Sequence, residues 1–233
     1  MADLNFIGIT LLALADAVNP CVLAILAIVL VTILIKHPEQ RKKVLYGGLA
    51  FSLAVYLGYL FYGLIIVQFF KSFDVFLRGS SIYIYKGLAI FAMLIGALNI
   101  KDFFYYKEGG LMTEMPLWMR PKAKGLIKKM TSIKGIFIIG ILVTIFLLPC
   151  TIGPLFIASG LLSTTTLLKV FLWLLYYNLL FILPMLAITF AVYLGFTQVE
   201  DVSGWKQKNI KRLHLIAGAL LFLVGFALLI GWL

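Results

Sequence analysis

The sequence holds two cysteines, Cys21 and Cys150, and each directly follows a proline inside a long apolar stretch. Two thiols can store a pair of electrons by making and breaking one disulfide. The reacting form is the thiolate, and a cysteine in an unbroken membrane helix is an inert small hydrophobe. Proline alters that expectation. It lacks an N–H and clashes with the preceding turn, so the helix breaks or kinks there and a second half-helix starts. With Asn19 as N-cap, Pro20 and Cys21 become the first two helical residues. The sulfur then lies near free backbone N–H groups and the positive end of the helix dipole. The second site reads Leu148-Pro149-Cys150-Thr151-Ile152-Gly153-Pro154, whose two prolines and glycine predict a distorted segment. Irregular backbone at membrane depth is tolerated only within protein or beside a watery cavity, so a cavity around the thiols is expected. Cys21 and Cys150 are read as a redox pair.

Other candidates are weaker. Asp16 is the one acidic residue well inside an apolar run. It is either a proton acceptor or hydrophilic lining near Cys21, or a residue near the outer surface if its helix begins late. Lys86 and Lys169 are read as snorkelling anchors. Gly58, Gly63 and Pro184 are packing or hinge positions. Tyr56, Tyr59, Tyr62, Tyr176 and Tyr177 are read as packing or interfacial residues, and His37 and His214 as solvated helix-end residues. No zinc-type spacing, Gly-rich phosphate loop or hydrolase motif occurs, so neither a metal nor a cofactor is expected.

The elements that must hold these residues follow from composition. The chain of 233 residues is 63% hydrophobic and 12% charged, with a mean hydropathy of +1.09. That excludes an ordinary soluble domain. Long apolar runs without alternation predict transmembrane helices. Six stretches qualify: Phe6 to Ile35, Val44 to Gln68, Ile82 to Ile100, Gly135 to Leu162, Leu167 to Phe196 and Leu213 to Leu233. The first is long enough to be tilted or broken. It has no basic leader or small-residue cleavage site and is not read as a signal peptide.

Of the 20 basic residues, all but Lys71, Arg78, Lys86 and Lys169 fall in the connections after the first, third and fifth stretches. The positive-inside rule puts those connections in the cytoplasm and both termini outside. This one-sided distribution accounts for the net charge of +11, and no nucleic-acid partner is inferred. The long linker carries Met112, Met115, Trp118 and Met119 among its charges. It is a plain connector, or a surface for lipid or a soluble partner.

The chain also reads as two halves. Asn19-Pro20-Cys21 falls on Leu148-Pro149-Cys150, and Gly87 with Phe91 falls on Gly218 with Phe222. Three spans per half is an odd number, so the halves lie in opposite orientation. The expected fold is all-α and polytopic, with six transmembrane helices in two inverted-topology three-helix repeats. Residues 1–104 form the first, 105–134 a basic cytoplasmic linker and 135–233 the second.

This arrangement, with a Pro-Cys in the first span of each half, resembles the CcdA family and the homologous membrane domain of DsbD over almost the whole chain. Asn19-Pro20-Cys21-Val22-Leu23 is similar to the family's first motif, and Pro149-Cys150 with Gly153-Pro154 to its second. Two departures concern helix shape. The family commonly has another proline soon after the first cysteine, where this chain has Ala24 and Ile25, and the second motif has an extra residue before Gly153-Pro154. The resemblance implies reducing equivalents passed from cytoplasmic thioredoxin through Cys21 and Cys150 to an extracytoplasmic thioredoxin-like protein. Such transfer often serves cytochrome c maturation. It also implies a prokaryotic cell membrane, with Asn19, Pro20, Pro149, Gly153 and Pro154 as supports of the cysteines. The alternatives are a small-solute or cation transporter of the same architecture, and a structural membrane subunit.

Overall fold

The computed structural model describes residues 6–18, 20–36, 41–76, 81–106, 116–128, 133–195 and 199–231. Asn19, His37, Arg78, Met112 and Met115 lie outside the described residues, and the side chains of Pro20, Pro149 and Cys150 lie outside the described side chains. The described residues are helical and contain no strand. In order the helices are α1 (Phe6–Ala17), α2 (Pro20–Lys36), α3 (Arg41–Phe76), α4 (Ser81–Phe104), α5 (Arg120–Lys128), α6 (Ile133–Leu162), α7 (Leu167–Leu194) and α8 (Val199–Leu229).

Among the described residues four helical segments are long and apolar enough to cross a bilayer: Lys42–Ser72, Lys86–Phe104, Leu167–Leu194 and Gln207–Leu229. Two bent pairs raise the total to six if each is one span. Phe6–Ala17 meets Cys21–Ile35 at 48°, and Lys134–Leu148 meets Gly153–Leu162 at 91°. Both bends fall at the Pro-Cys sites, where proline removes a helical hydrogen bond.

The surface and interior are those of a bundle bathed in lipid. Phe61, Leu94, Ile138, Leu168, Leu172 and Leu223 are exposed, while Asp16, Asn99, Thr144, Thr151, Asn178, Thr189 and His214 are buried. An apolar surface this extensive fits a lipid-facing one. Helices in lipid gain from close van der Waals contact, which small residues allow. A Cβ at Gly58 would lie 3.0 Å from Thr144, and one at Gly96 would lie 2.8 Å from the backbone nitrogen of Phe222 and 2.9 Å from the Gly218 carbonyl. Gly58 and Gly63 thus serve as close-contact positions.

These approaches fix directions. Gly58 against Thr144 and Gly140 against Ala54 make α3 and α6 parallel. Gly63 against Leu174 and Gly48 against Thr189 make α3 and α7 antiparallel, as Gly96 against Gly218 and Gly225 against Ala89 do for α4 and α8. Thr10 against Tyr176 and Asp16 against Tyr177 set α1 along α7. The α4–α8 contact is the most extensive, and α5 packs on α2 and α6.

Two local features end helices where the sequence provides caps. The Ser163 and Thr165 hydroxyls donate to the carbonyls of Gly160 and Leu162 at the end of α6. Gly195 takes φ 78°, a left-handed conformation glycine adopts without steric cost, and its N–H closes α7 onto Ala191 and Val192. By contrast, α8 starts at Val199, well before the predicted residue 213, so Lys208, Lys211 and Arg212 stand on the helix itself. The early start also places His214 in mid-helix. The sequence expectation of a solvated histidine is corrected: it is fully buried against α4.

Candidate functional site

Cys21 is the second residue of α2, immediately after the 48° bend. It is buried, with 8% of its surface exposed. Alongside it lies a partly open cavity of about 470 Å³. One wall is the face of α2 formed by Cys21, Ala24, Ile25 and Ile28, residues spaced to share one side of a helix. The opposite wall is the basic linker, with Leu117, Arg120, Ala123, Lys124 and Ile127. The expectation of a cavity beside a thiol holds at Cys21. Sequence reasoning did not anticipate that the linker would form its other wall.

The linker does so because α5 has two faces. Met119, Ala123 and Ile127 recur at helical spacing and are buried, whereas Lys122 and Lys124 are exposed. Lys122 Nζ sits 5.3 Å from the ring centre of exposed Trp118, a cation–π contact.

Asp16 is on α1, just before the bend, and is fully buried within the protein. Tyr177 of α7 donates to its Oδ2 at 3.0 Å, while Oδ1 has no hydrogen-bond partner among the described residues. The carboxyl group therefore turns toward α7, and Asp16 is not among the residues lining the Cys21 cavity.

A second polar tie stands at the other bend. Thr151, next to Cys150, gives its hydroxyl proton to the Leu147 carbonyl at 3.0 Å, which leaves the fully buried Tyr59 of α3 as donor to Thr151 Oγ1 at 2.5 Å. A threonine hydroxyl bonded to a carbonyl four residues back accompanies helix bending, and here it does so at the 91° bend. Thr144 makes a similar pair of bonds two turns earlier, donating to the Ile141 carbonyl three residues back and accepting from Tyr62 at 2.9 Å. Tyr59 also packs on Phe181, with ring centres 4.9 Å apart.

Gly153 and Pro154 begin the segment after the bend. Proline fits a first helical turn because the N–H it lacks has no partner there anyway. A Cβ at Gly153 would lie 2.8 Å from Ile95, so the glycine admits α4. The sequence reading takes Tyr59 and Tyr177 as packing or interfacial residues and gives Thr151 no role. The available signal was their polarity inside apolar runs.

A further buried group joins α4 to α8. His214 Nδ1 donates to Asn99 Oδ1 at 3.0 Å, and Asn99 Nδ2 donates to the Ile95 carbonyl. The Tyr106 ring lies 5.8 Å from that of His214, tilted by 39°, and Asp102 is buried on α4. Among the described residues no three His, Cys, Asp or Glu side chains gather in a way that could hold a metal ion. Comparison with family models, curated proteins and solved structures returned no match.

Proposed function

We propose that this chain carries reducing equivalents across a cell membrane by thiol–disulfide exchange, with Cys21 and Cys150 as the redox pair. The observation that carries the reading is Cys21 at the start of a half-helix, at a membrane-helix bend, beside a partly open cavity. A cytoplasmic dithiol of the thioredoxin type supplies the electrons. Its thiolate attacks one sulfur of the Cys21–Cys150 disulfide, forming a mixed disulfide and expelling the other cysteine as a thiolate. The donor's second thiolate then attacks the donor sulfur and releases the reduced pair. Two electrons and two protons have moved. The pair passes them by the same steps to an extracytoplasmic thioredoxin-like disulfide, a role suited to cytochrome c maturation as in the CcdA family.

The helix contacts support the inverted repeat that this reading uses. Exchange α1 and α2 for α6, α3 for α7, and α4 for α8. The α3–α6 contact then becomes α1–α7 and α2–α7, and α4–α6 becomes the contacts of α8 with α1 and α2, while α3–α7, α4–α8 and α1–α6 map onto themselves; the α2–α3 contact has no comparable α6–α7 image among the described residues. Inverted repeats about a central site provide alternating access to two membrane faces.

A second reading, transport of a small solute or cation, is favoured by the fully buried Asp16 and Asn178, each with an oxygen that lacks a partner among the described residues. Single-cysteine variants distinguish the two. Incubated with reduced thioredoxin bearing only its attacking cysteine, after oxidation to an activated disulfide, Cys21→Ser or Cys150→Ser should yield a covalent adduct. Absence of an adduct with both variants, together with transport that survives loss of both thiols, would transfer the assignment to a transporter.

A further inference from the structure

We infer that α5 is a selectivity element that admits acidic cysteine-bearing segments of a soluble protein to Cys21. The inference rests on the redox reading above and names the kind of partner that reaches the site.

The observation is the composition of the two cavity walls. The α2 wall carries the thiol and three apolar residues, and covers about 10 Å of helix from Cys21 to Ile28. The α5 wall contributes Lys124 and Arg120, and no acidic side chain lines the space among the described residues. Anything that approaches the sulfur by this route passes cations held against an apolar wall. Charge of one sign along a low-dielectric cleft raises the local concentration of opposite charge. At about 470 Å³ the space lies within the ~300–1,000 Å³ range of sites that enclose a small ligand. It admits the tip of a loop and excludes a folded domain.

The packing of α5 argues for a protein partner over a lipid surface. A helix that anchors to a bilayer offers its apolar face to the acyl chains. In α5 that face turns inward instead: Met119, Ala123 and Ile127 are buried within the protein, and Ala123 and Ile127 line the cavity. Exposed Leu117, just before the helix, adds an apolar ledge to the cavity, against which a loop can rest. Carboxylates flanking a partner's cysteine would meet Lys124 while the cysteine faces Cys21.

The test uses the full chain with Cys150→Ser, so that Cys21 is the only thiol. Two short peptides, one with glutamates and one with lysines flanking a cysteine activated as a thiopyridyl disulfide, are offered separately. The Cys21 thiolate attacks the peptide sulfur, forms the mixed disulfide and expels pyridine-2-thione, whose absorbance reports the rate. The acidic peptide should react about five-fold faster at low salt, with the ratio falling toward one at ~1 M salt, where screening acts within ~3 Å. Lys124→Gln should bring the ratio close to one, and Lys124→Glu should invert it. Equal rates for both peptides in the unaltered α5 would overturn the inference and leave the redox reading standing. A ratio that ignores Lys124 but follows the anionic lipid content of nanodiscs would also overturn it, assigning the α5 cations to the bilayer surface. If neither peptide nor a neutral thiopyridyl disulfide reacts, the redox reading fails, and this inference with it.

Discussion

Tyr177 of α7 donates a 3.0 Å hydrogen bond to Asp16 of α1, and both residues are fully buried. Its counterpart is Tyr59 of α3, which bonds Thr151 of α6. In each case a tyrosine from one long helix holds a polar residue within six positions of a Pro-Cys bend. The prolines produce the bends, and the tyrosines tie the bent segments to the bundle.

Removing one partner of a buried pair costs more than removing both. Tyr177→Phe strips Asp16 of its described donor and should destabilise the protein by about 1–3 kcal/mol. Adding Asp16→Leu should recover most of that loss, because two apolar groups then face each other. Thermal unfolding of the four proteins in one detergent checks the cycle, and strictly additive losses would contradict the pairing.

The Tyr59–Thr151 tie stands next to Cys150, so its loss should affect chemistry as well as stability. Tyr59→Phe is expected to cost about 1 kcal/mol in stability and to slow disulfide exchange with a thioredoxin-type donor. Tyr62→Phe, which removes the similar bond to Thr144 farther from the cysteine, should cost similar stability with exchange unchanged. Equal slowing in both variants would show a purely structural role.

Glycine substitutions separate close contact from open surface. A Cβ at Gly96 meets backbone atoms of α8, which cannot rotate away, so Gly96→Ala should cost about 1–3 kcal/mol. A Cβ at Gly87 meets nothing within 4 Å. Gly87→Ala should be neutral or stabilising by up to ~1 kcal/mol, since alanine favours helix. The melting temperatures of the pair test the antiparallel α4–α8 packing directly.

Access to Cys21 should depend on the α2 face that lines the cavity. In a Cys150→Ser background, Ala24→Phe fills the space one turn from the thiol and should slow labelling by a hydrophilic maleimide about ten-fold, a barrier increase of ~1.4 kcal/mol. An aromatic residue at Leu53, exposed on another helix, should leave the labelling rate unchanged. Unaltered labelling in Ala24→Phe would mean that reagent reaches the sulfur by another path.

Much of the architecture was legible because lipid imposes length and proline imposes breaks. The apolar stretches coincide with the spans and bent pairs, and both bends occur at the Pro-Cys sites. What faces inward was not legible. When core and surroundings are both apolar, hydropathy gives no inward side, so Tyr59 and Tyr177 looked the same as interfacial tyrosines. The same ambiguity displaced the start of α8. Its first turns are polar and charged, and a hydropathy threshold discards them even though they continue the helix that buries His214. The role of α5 escaped notice for a different reason: a short basic helix acquires an inner face only through the neighbours it packs against.

The bends at the two Pro-Cys sites are unequal, 48° in one segment and 91° in the other. On the proposed repeat these are two copies of one part held in different shapes. Exchanging the shapes would regenerate comparable contacts with the halves relabelled and move the open side from Cys21 toward Cys150. A redox partner shifts the balance between two such states by no more than its differential affinity for them, so one that prefers a state by ~1–3 kcal/mol moves their ratio about 5- to 150-fold toward the membrane face it needs.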